Sequence, residues 1–469
     1  MSARRGSIDD GRSGPPTVRL DRVAPGLDAP TVPIRVEREA VKGEAGKGEA
    51  GDGWRAPQHR DGMALVLSSA VASGIGMLFW VLAARMFDPG IVGVSTAAIS
   101  AVTMLASASH LNLGNALLRF VPVARHRGAV IAGCFAVGIG VGTVVGLVFA
   151  IGATLWAPDL VEAFGHPGLI ALFVVGVPIW TVFVLQDSAL TSIRRAKLVL
   201  VENVVFAVLK IALLVVAAWW GLTSGIVLGT IAATALVVLM VTVWLVRALR
   251  TPPAASSTAI STVTARDLAG FVGVDYAGNV AWQAAVFGIP LIVIALTDPD
   301  GAAVYGMAWQ ITYALYLVVT GMGKSMVAHA ATGDSATIER ARRGMDRKAM
   351  TLILPAAIVV ALGAPLILSV FGRTYAETGT LVLALLALSA IPNVVTNSAV
   401  WEARVRRHRA VQFGLPTAIS ATVITATLVL VPSMGITGVG WAWLCAQTVA
   451  AVGVLLVRWR TRRAGAQPA

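Results

Sequence analysis

Beyond residue 62 the chain is a succession of long apolar runs separated by short polar turns. Each run reaches about 20 residues, the length that crosses a bilayer core as a helix. Twelve such helices are predicted, at 63–86, 91–118, 128–156, 168–190, 199–220, 222–246, 268–296, 302–326, 349–371, 378–402, 410–432 and 435–457. The runs are too long and too uniformly apolar for alternating barrel strands. The fold class that follows is an all-α integral membrane protein, because only helices and closed barrels satisfy their backbone in lipid.

The polar turns orient the helices. Arg119, Arg125 and Arg127 follow helix 2; Arg194, Arg195 and Lys197 follow helix 4; Arg247, Arg250 and Arg266 follow helix 6. Arg340, Arg342, Arg343, Arg347 and Lys348 follow helix 8, and Arg404, Arg406, Arg407 and Arg409 follow helix 10. Arg458, Arg460, Arg462 and Arg463 close the chain, and the opposite turns carry only Arg85 and Arg373. Cytoplasmic loops are the basic ones. The expected location is the cytoplasmic (inner) membrane, multi-pass, with both termini in the cytoplasm.

The two halves repeat. "APDLVEAFG" (157–165) matches "APLILSVFG" (364–372). Pro178 pairs with Pro392, Gly221-Leu222-Thr223 with Gly435-Ile436-Thr437, and Asp88-Pro89 with Asp298-Pro299, all at nearly constant offset. Six helices per unit return the chain to its starting side, so the repeat is parallel. Two six-helix bundles then face each other about an axis along the membrane normal, the plan of transporters with a midplane site. The domain organisation expected is 1–62 disordered cytoplasmic tail, 63–250 first bundle, 251–267 cytoplasmic linker, 268–458 second bundle and 459–469 basic cytoplasmic tail. A duplicated scaffold without transport is the plain alternative.

Composition agrees. Only 13% of residues are charged and the mean hydropathy is +0.78, where soluble domains carry about 25% charged residues. The tail holds nearly balanced charge, so almost all of the net +13 belongs to the apolar part. There it orients the chain and meets anionic lipid, with no nucleic acid required. "KGEAGKGEAGDG" (42–53) is a low-complexity, disorder-prone stretch. The tail is a solvated segment or a regulatory, partner-binding one. Cys134 and Cys445 both lie in apolar runs and read as small packing residues.

Candidate chemistry is sparse. "VVTGMGKS" (318–325) ends like a phosphate loop, but the required first Gly is Val318 and the segment closes a membrane run. No metal-ligand spacing and no Gly-x-Ser-x-Gly elbow occurs. No catalytic residues, no metal and no cofactor are expected, and the chain is not read as an enzyme.

Intramembrane polar residues carry more, because they must face protein or water. Asp275, Asn279 and Gln283 share one face of helix 7, and the repeat places Ser69 and Ser73 in helix 1 at the last two of these positions. They read as cavity lining or as a polar helix contact. Trp309, Tyr313, Tyr316, Thr320 and Lys324 form a stripe through the depth of helix 8. Belts sit only at membrane edges, and aromatic faces suit sugar rings. Lys324 is a cavity cation or an interfacial anchor. Lys210 lies mid-helix with Glu202 two turns earlier, and a midplane lysine costs about 2.5–3.5 kcal/mol, so it too is expected in a cavity. Cations then outnumber anions there, which suits an anionic substrate.

At this point the sequence resembles the polysaccharide flippase branch of the multidrug/oligosaccharidyl-lipid/polysaccharide exporter superfamily. The resemblance rests on "FWVLAARMFDPGIVGVSTAAIS" (79–100), "LNLGNALLRFVPVARHRG" (111–128) and "DPDGAAVYGMAWQI" (298–311), with Arg85, Gly93, Gly114, Arg119 and Pro122 at the motif positions. It implies a MATE/MurJ-like fold. It also implies flipping of a lipid-linked oligosaccharide from the inner to the outer leaflet by alternating access, with glycan-assembly proteins as partners the N-terminal tail could dock. Arg119 is a further candidate for the cavity, or an anchor at the membrane edge, to which it lies close. An ion-coupled drug or cation antiporter on the same fold is the second reading. A membrane glycosyltransferase or polymerase ranks last, because the outer loops are short.

Overall fold

A computed structural model of the chain describes residues 75–124, 126–195, 197–250, 274–330 and 335–464. The tail 1–62, the linker 251–267, Ser69 and Ser73 lie outside the described residues. The first half contains α1 (Ile75–Met86), α2 (Pro89–Ser109), α3 (Leu113–Phe120), α4 (Arg127–Trp156), α5 (Pro158–Phe164), α6 (His166–Ser192), α7 (Lys197–Trp219) and α8 (Gly225–Arg250). The second half contains α9 (Val274–Leu296), α10 (Pro299–Ala330), α11 (Ser335–Leu362), α12 (Ala364–Ser369), α13 (Arg373–Arg406), α14 (Arg409–Met434) and α15 (Thr437–Ala464). Among the described residues ten helices are long and apolar enough to cross a membrane. The other two of the twelve runs are α1, described only from Ile75, and α11, whose first half is charged.

Three boundaries differ from the sequence expectation. The run 91–118 is two helices, because the chain turns at His110–Asn112. Leu111 and Asn112 both take positive φ there, and Asn115 Nδ2 donates to Asn112 Oδ1. The Leu-Gly and Leu-Leu-Arg motif therefore lies on the short amphipathic α3, not on the membrane helix. Residues 335–348, expected as a loop, extend α11. The two Ala-Pro motifs open the short helices α5 and α12, which cap the bundles at their far ends. Proline suits a first helical turn because its missing N–H is unpaired there anyway.

The repeat is legible in the backbone. Phe-Gly follows each short helix with a positive φ, at Gly165 and Gly372, and Gly221 and Gly435 turn the chain at matched points (φ 67° and 60°). Arg194 and Arg407 also match, both left-handed (φ 62° and 58°). Such a conformation costs a non-glycine residue about 1–2 kcal/mol, so both halves accept the same local cost at the same turn. Pro178 and Pro392 lie inside α6 and α13, where each removes one helical hydrogen bond.

The helix ends define two faces. The basic end carries Arg119, Arg194, Arg247, Arg343, Arg406 and Arg458; the far end carries Arg85 and Arg373. Helix α2 packs against α9 and α10 of the second half. Near the far end the approach is very close: a Cβ on Gly93 would lie 1.7 Å from the Pro299 carbonyl oxygen. Arg85 donates to the carbonyls of Val370 (2.8 Å) and Ser369 (3.0 Å), tying α1 to the end of α12. Towards the basic end Tyr276 donates to the Ala108 carbonyl, and Gln283 Nε2 to Ser107 Oγ at 3.2 Å.

An ion network closes the basic end of the second bundle. Arg342, 4% exposed, contacts Glu339 (2.6 Å), Asp346 (2.5 Å) and Glu402 (3.2 Å). Arg458 reaches Asp346 and Glu402, and Arg406 reaches Glu402. Burial alone would raise the Glu339 carboxyl, but hydrogen bonds from Arg342 and Arg343 outweigh it and hold it at about 2. Its contribution is full above about pH 4.5 and is lost as pH falls towards 2. Arg342→Ala leaves partly buried carboxylates short of a partner and should cost about 3–5 kcal/mol. The thermal midpoint in detergent should fall, with only partial recovery in Arg342→Lys, which lacks the planar fork.

Candidate functional site

A polar cavity of about 350 Å³ lies inside the second bundle, between α9, α10, α13 and α14. Helix α9 contributes Asn279, Trp282 and Gln283, and α10 contributes Tyr313, Tyr316 and Thr320. Helix α13 contributes Asn393, Thr396, Asn397, Trp401 and Arg404, and Gln412 comes from the first turn of α14. The α13 residues recur at three- and four-residue spacing, which aligns them on one face. Helices α9 and α14 close the wall at Gly278, whose Cβ would meet the Gln412 carbonyl oxygen at 2.9 Å.

The lining is rich in amides. Asn397 Nδ2 lies 3.5 Å from Thr320 Oγ1, Gln412 Nε2 donates to the Ala403 carbonyl, and Thr396 Oγ1 donates to Gln447 Oε1 at 2.9 Å. The buried Oδ1 atoms of Asn393 and Asn397 have no hydrogen-bond partner among the described residues. Buried polar atoms in that condition carry a cost of roughly 1–3 kcal/mol each, which a hydroxyl-bearing ligand or water would relieve. At the basic end Arg404 lies 4.3 Å from the Trp401 ring. That indole rests on Gly323, where a Cβ would come within 2.0 Å of its ring.

The expected site residues divide. Asn279, Gln283, Tyr313 and Tyr316 line the cavity. Trp309 does not: it is 5% exposed, stacked on Trp443 at 4.4 Å beneath the cavity floor. Asp275 lies one turn before Asn279 and Lys324 directly follows Gly323, but their side chains are outside the described residues. Lys210 lies in the first bundle among aromatic rings, 3.9 Å from the Phe79 centroid and 5.2 Å from Phe206, and does not reach this cavity. No ion pair joins it to Glu202 among the described residues. Glu202 is itself 1% exposed, with both carboxylate oxygens lacking a hydrogen-bond partner among the described residues.

The motif residues are structural in their contacts. Arg119 is exposed on α3, 5.5 Å from the Phe120 ring. Gly114 faces Ser188 of α6 at 2.8 Å from a would-be Cβ, and the Pro122 carbonyl accepts from Arg127. Gly93 and Arg85 join the two halves. Cys134 is buried as expected, whereas Cys445 is exposed on α15.

Sequence reasoning missed Asn393, Asn397, Trp401 and Arg404. The signal was present as a polar face on α13 one residue after Pro392. It was masked because Arg404 reads equally well as one more basic loop residue. The repeat does not reveal it either, since the matched positions Ile179 and Phe183 in α6 are apolar. The first bundle fills that space with Trp180, Phe183 and Phe206.

No protein-family model matches the chain, and no curated protein matches its sequence. Solved structures do match. An inward-facing multidrug resistance MATE family transporter of the MOP superfamily aligns with a TM-score of 0.64 at 17% identity, over 84% of this chain and 96% of that one. The lipid II flippase MurJ, in an inward closed conformation, aligns with a TM-score of 0.61 at 12% identity, over 84% and 87%. The MATE multidrug transporter DinF-BH in complex with R6G gives 0.61 at 17% identity, over 89% and 99%. An outward-facing MATE family transporter gives 0.52 at 18% identity, over 84% and 92%. The chain has the membrane fold shared by the MATE and MurJ transporters of the MOP superfamily.

Proposed function

We propose that the protein is a secondary transporter that flips an anionic lipid-linked oligosaccharide across the cytoplasmic membrane by alternating access. The observation that carries this reading is the cavity lining. It offers several amides, aromatic faces and one arginine, and no carboxylate among the described lining residues. Amides both donate and accept, as sugar hydroxyls require. The arginine fork matches phosphate oxygens. A cation would find no counter-charge in that lining. By the positive-inside rule the basic end faces the cytoplasm, so Arg404 and Trp401 sit at the entry for a substrate arriving from the inner leaflet.

The volume is at the small end for ligand sites, which span roughly 300–1,000 Å³. It fits the phosphate and the first sugar, so longer glycans require the helices around the cavity to part. A strain lacking the gene should accumulate lipid-linked glycan reachable only from the cytoplasmic face. Normal surface glycan in that strain, with no second flippase present, would sink the reading.

The second reading is ion-coupled export of organic cations. It is favoured by the carboxylate of Glu202 and by Asp187 on the neighbouring helix, whose buried oxygens Oε1, Oε2 and Oδ1 have no hydrogen-bond partner among the described residues. That reading requires drug efflux that fails in Glu202→Gln.

A further inference from the structure

The second bundle has another opening, on the side of α14 away from the cavity. It is a groove of about 1240 Å³ between the basic-end halves of α14 and α15, floored by Ala399 and Ala403 of α13. Its walls are apolar, with Leu415 and Ala418 on one side and Val449 and Val454 on the other. Its mouth carries Arg342, Arg343, Arg406 and Arg458 beside Glu339 and Glu402, so the arginines outnumber the carboxylates there.

We infer that this groove holds one anionic glycerophospholipid from the leaflet that meets the basic end. Its phosphate sits on the arginines and an acyl chain runs between α14 and α15.

Three observations converge on that occupant. First, Gly414 and Gly453 both line the groove, and a Cβ on either would meet nothing within 4 Å. Glycines on membrane helices ordinarily let a neighbouring helix approach. Here no part of the described chain comes close, so the space is left to a non-protein group.

Second, the mouth carries surplus positive charge. Among the described residues, Arg342, Arg343, Arg406 and Arg458 pair with the carboxylates of Glu339, Asp346 and Glu402, four cations to three anions. Arg343 is 64% exposed and pairs with Glu339 at 2.9 Å. Basic pockets between membrane helices are the sites where acidic lipid headgroups settle. Third, apolar walls and basic mouth occur in one opening. A free anion has no use for the walls, and a neutral lipid has no use for the arginines.

The site is independent of what the cavity transports, but it bears on the cavity's shape. Ile419 lines both openings, so α14 is the partition between them. A lipid in the groove supports the outer side of the helix that forms the cavity wall.

The test uses the full chain in nanodiscs of phosphatidylcholine with a minor fraction of phosphatidylglycerol, followed by native mass spectrometry. Wild type should retain phosphatidylglycerol in preference to phosphatidylcholine, by about fivefold for each arginine engaged. Gly414→Leu with Gly453→Leu fills the groove and should abolish retention. The thermal midpoint should not fall, because leucine favours a helix over glycine. Arg343→Gln should keep a lipid bound but lower the headgroup preference about fivefold. Equal retention in the filled variant, or no headgroup preference in wild type, overturns the inference. So does displacement of phosphatidylglycerol by added polyprenyl phosphate, which would make the groove a substrate path.

Discussion

Arg404→Gln is expected to lower transport of a lipid-linked glycan roughly 10–100-fold. A hydrogen bond to a charged group contributes about 1.5–3 kcal/mol, and Arg404 is the one cation among the described cavity-lining residues. Glutamine is shorter but still polar, and it favours a helix, so the helix should still fold and insert. Arg404→Lys should recover part of the rate, since an ammonium is a point charge without the fork. The loss should depend on the substrate's phosphate. A neutral analogue should bind wild type and variant alike, as measured by its inhibition of transport. Equal inhibition by charged and neutral analogues in wild type would remove the role assigned to Arg404.

Gly93→Leu is expected to open the far end. A side chain there collides with the backbone of Pro299, which cannot rotate away. Overpacking of this kind costs about 1–3 kcal/mol, enough to change which of two close conformations is populated. The seal beside it is Arg85 on the carbonyls of Ser369 and Val370. A reporter cysteine at Thr96, buried against Gly306 in the present state, checks the effect once Cys134 and Cys445 are replaced by alanine. Impermeant thiol reagents should label it from the far side in Gly93→Leu and spare it in the parent. Equal labelling in both would show that the contact does not hold the far end shut.

The fold was legible because lipid imposes a strict rule. Every spanning segment had to be a long apolar run, and the basic turns ordered those runs. The repeat could also be read, since its marks are backbone requirements. Phe-Gly at 164–165 and 371–372 and the paired glycines at 221 and 435 mark positive φ, which few side chains accept. The helix break at His110–Asn112 was not legible, because the residues on either side continue the apolar pattern.

The site was half legible. Asn279 and Gln283 stand out as polar groups in an apolar helix, and the structure places them at the cavity. Trp309 had the same spacing as Tyr313 and Tyr316, yet it faces Trp443. Spacing gives a shared face but not what packs against it. Lys210 looked like cavity chemistry for a sound reason, the cost of a buried charge. Its environment is the rings of Phe79 and Phe206 instead, where an ammonium can be held over aromatic faces. Gly323, in the stretch that imitates a phosphate loop, is explained by the indole of Trp401 lying against it.

The most direct test of the central reading is leaflet translocation in proteoliposomes. A fluorescent polyprenyl-diphosphate oligosaccharide is placed in one leaflet, and its arrival in the other is read by an impermeant quencher. The account predicts translocation by the wild-type chain, loss in Arg404→Gln, and no competition from organic cations. Contradiction would be an unmoved glycan lipid alongside gradient-driven uptake of an organic cation that fails in Glu202→Gln.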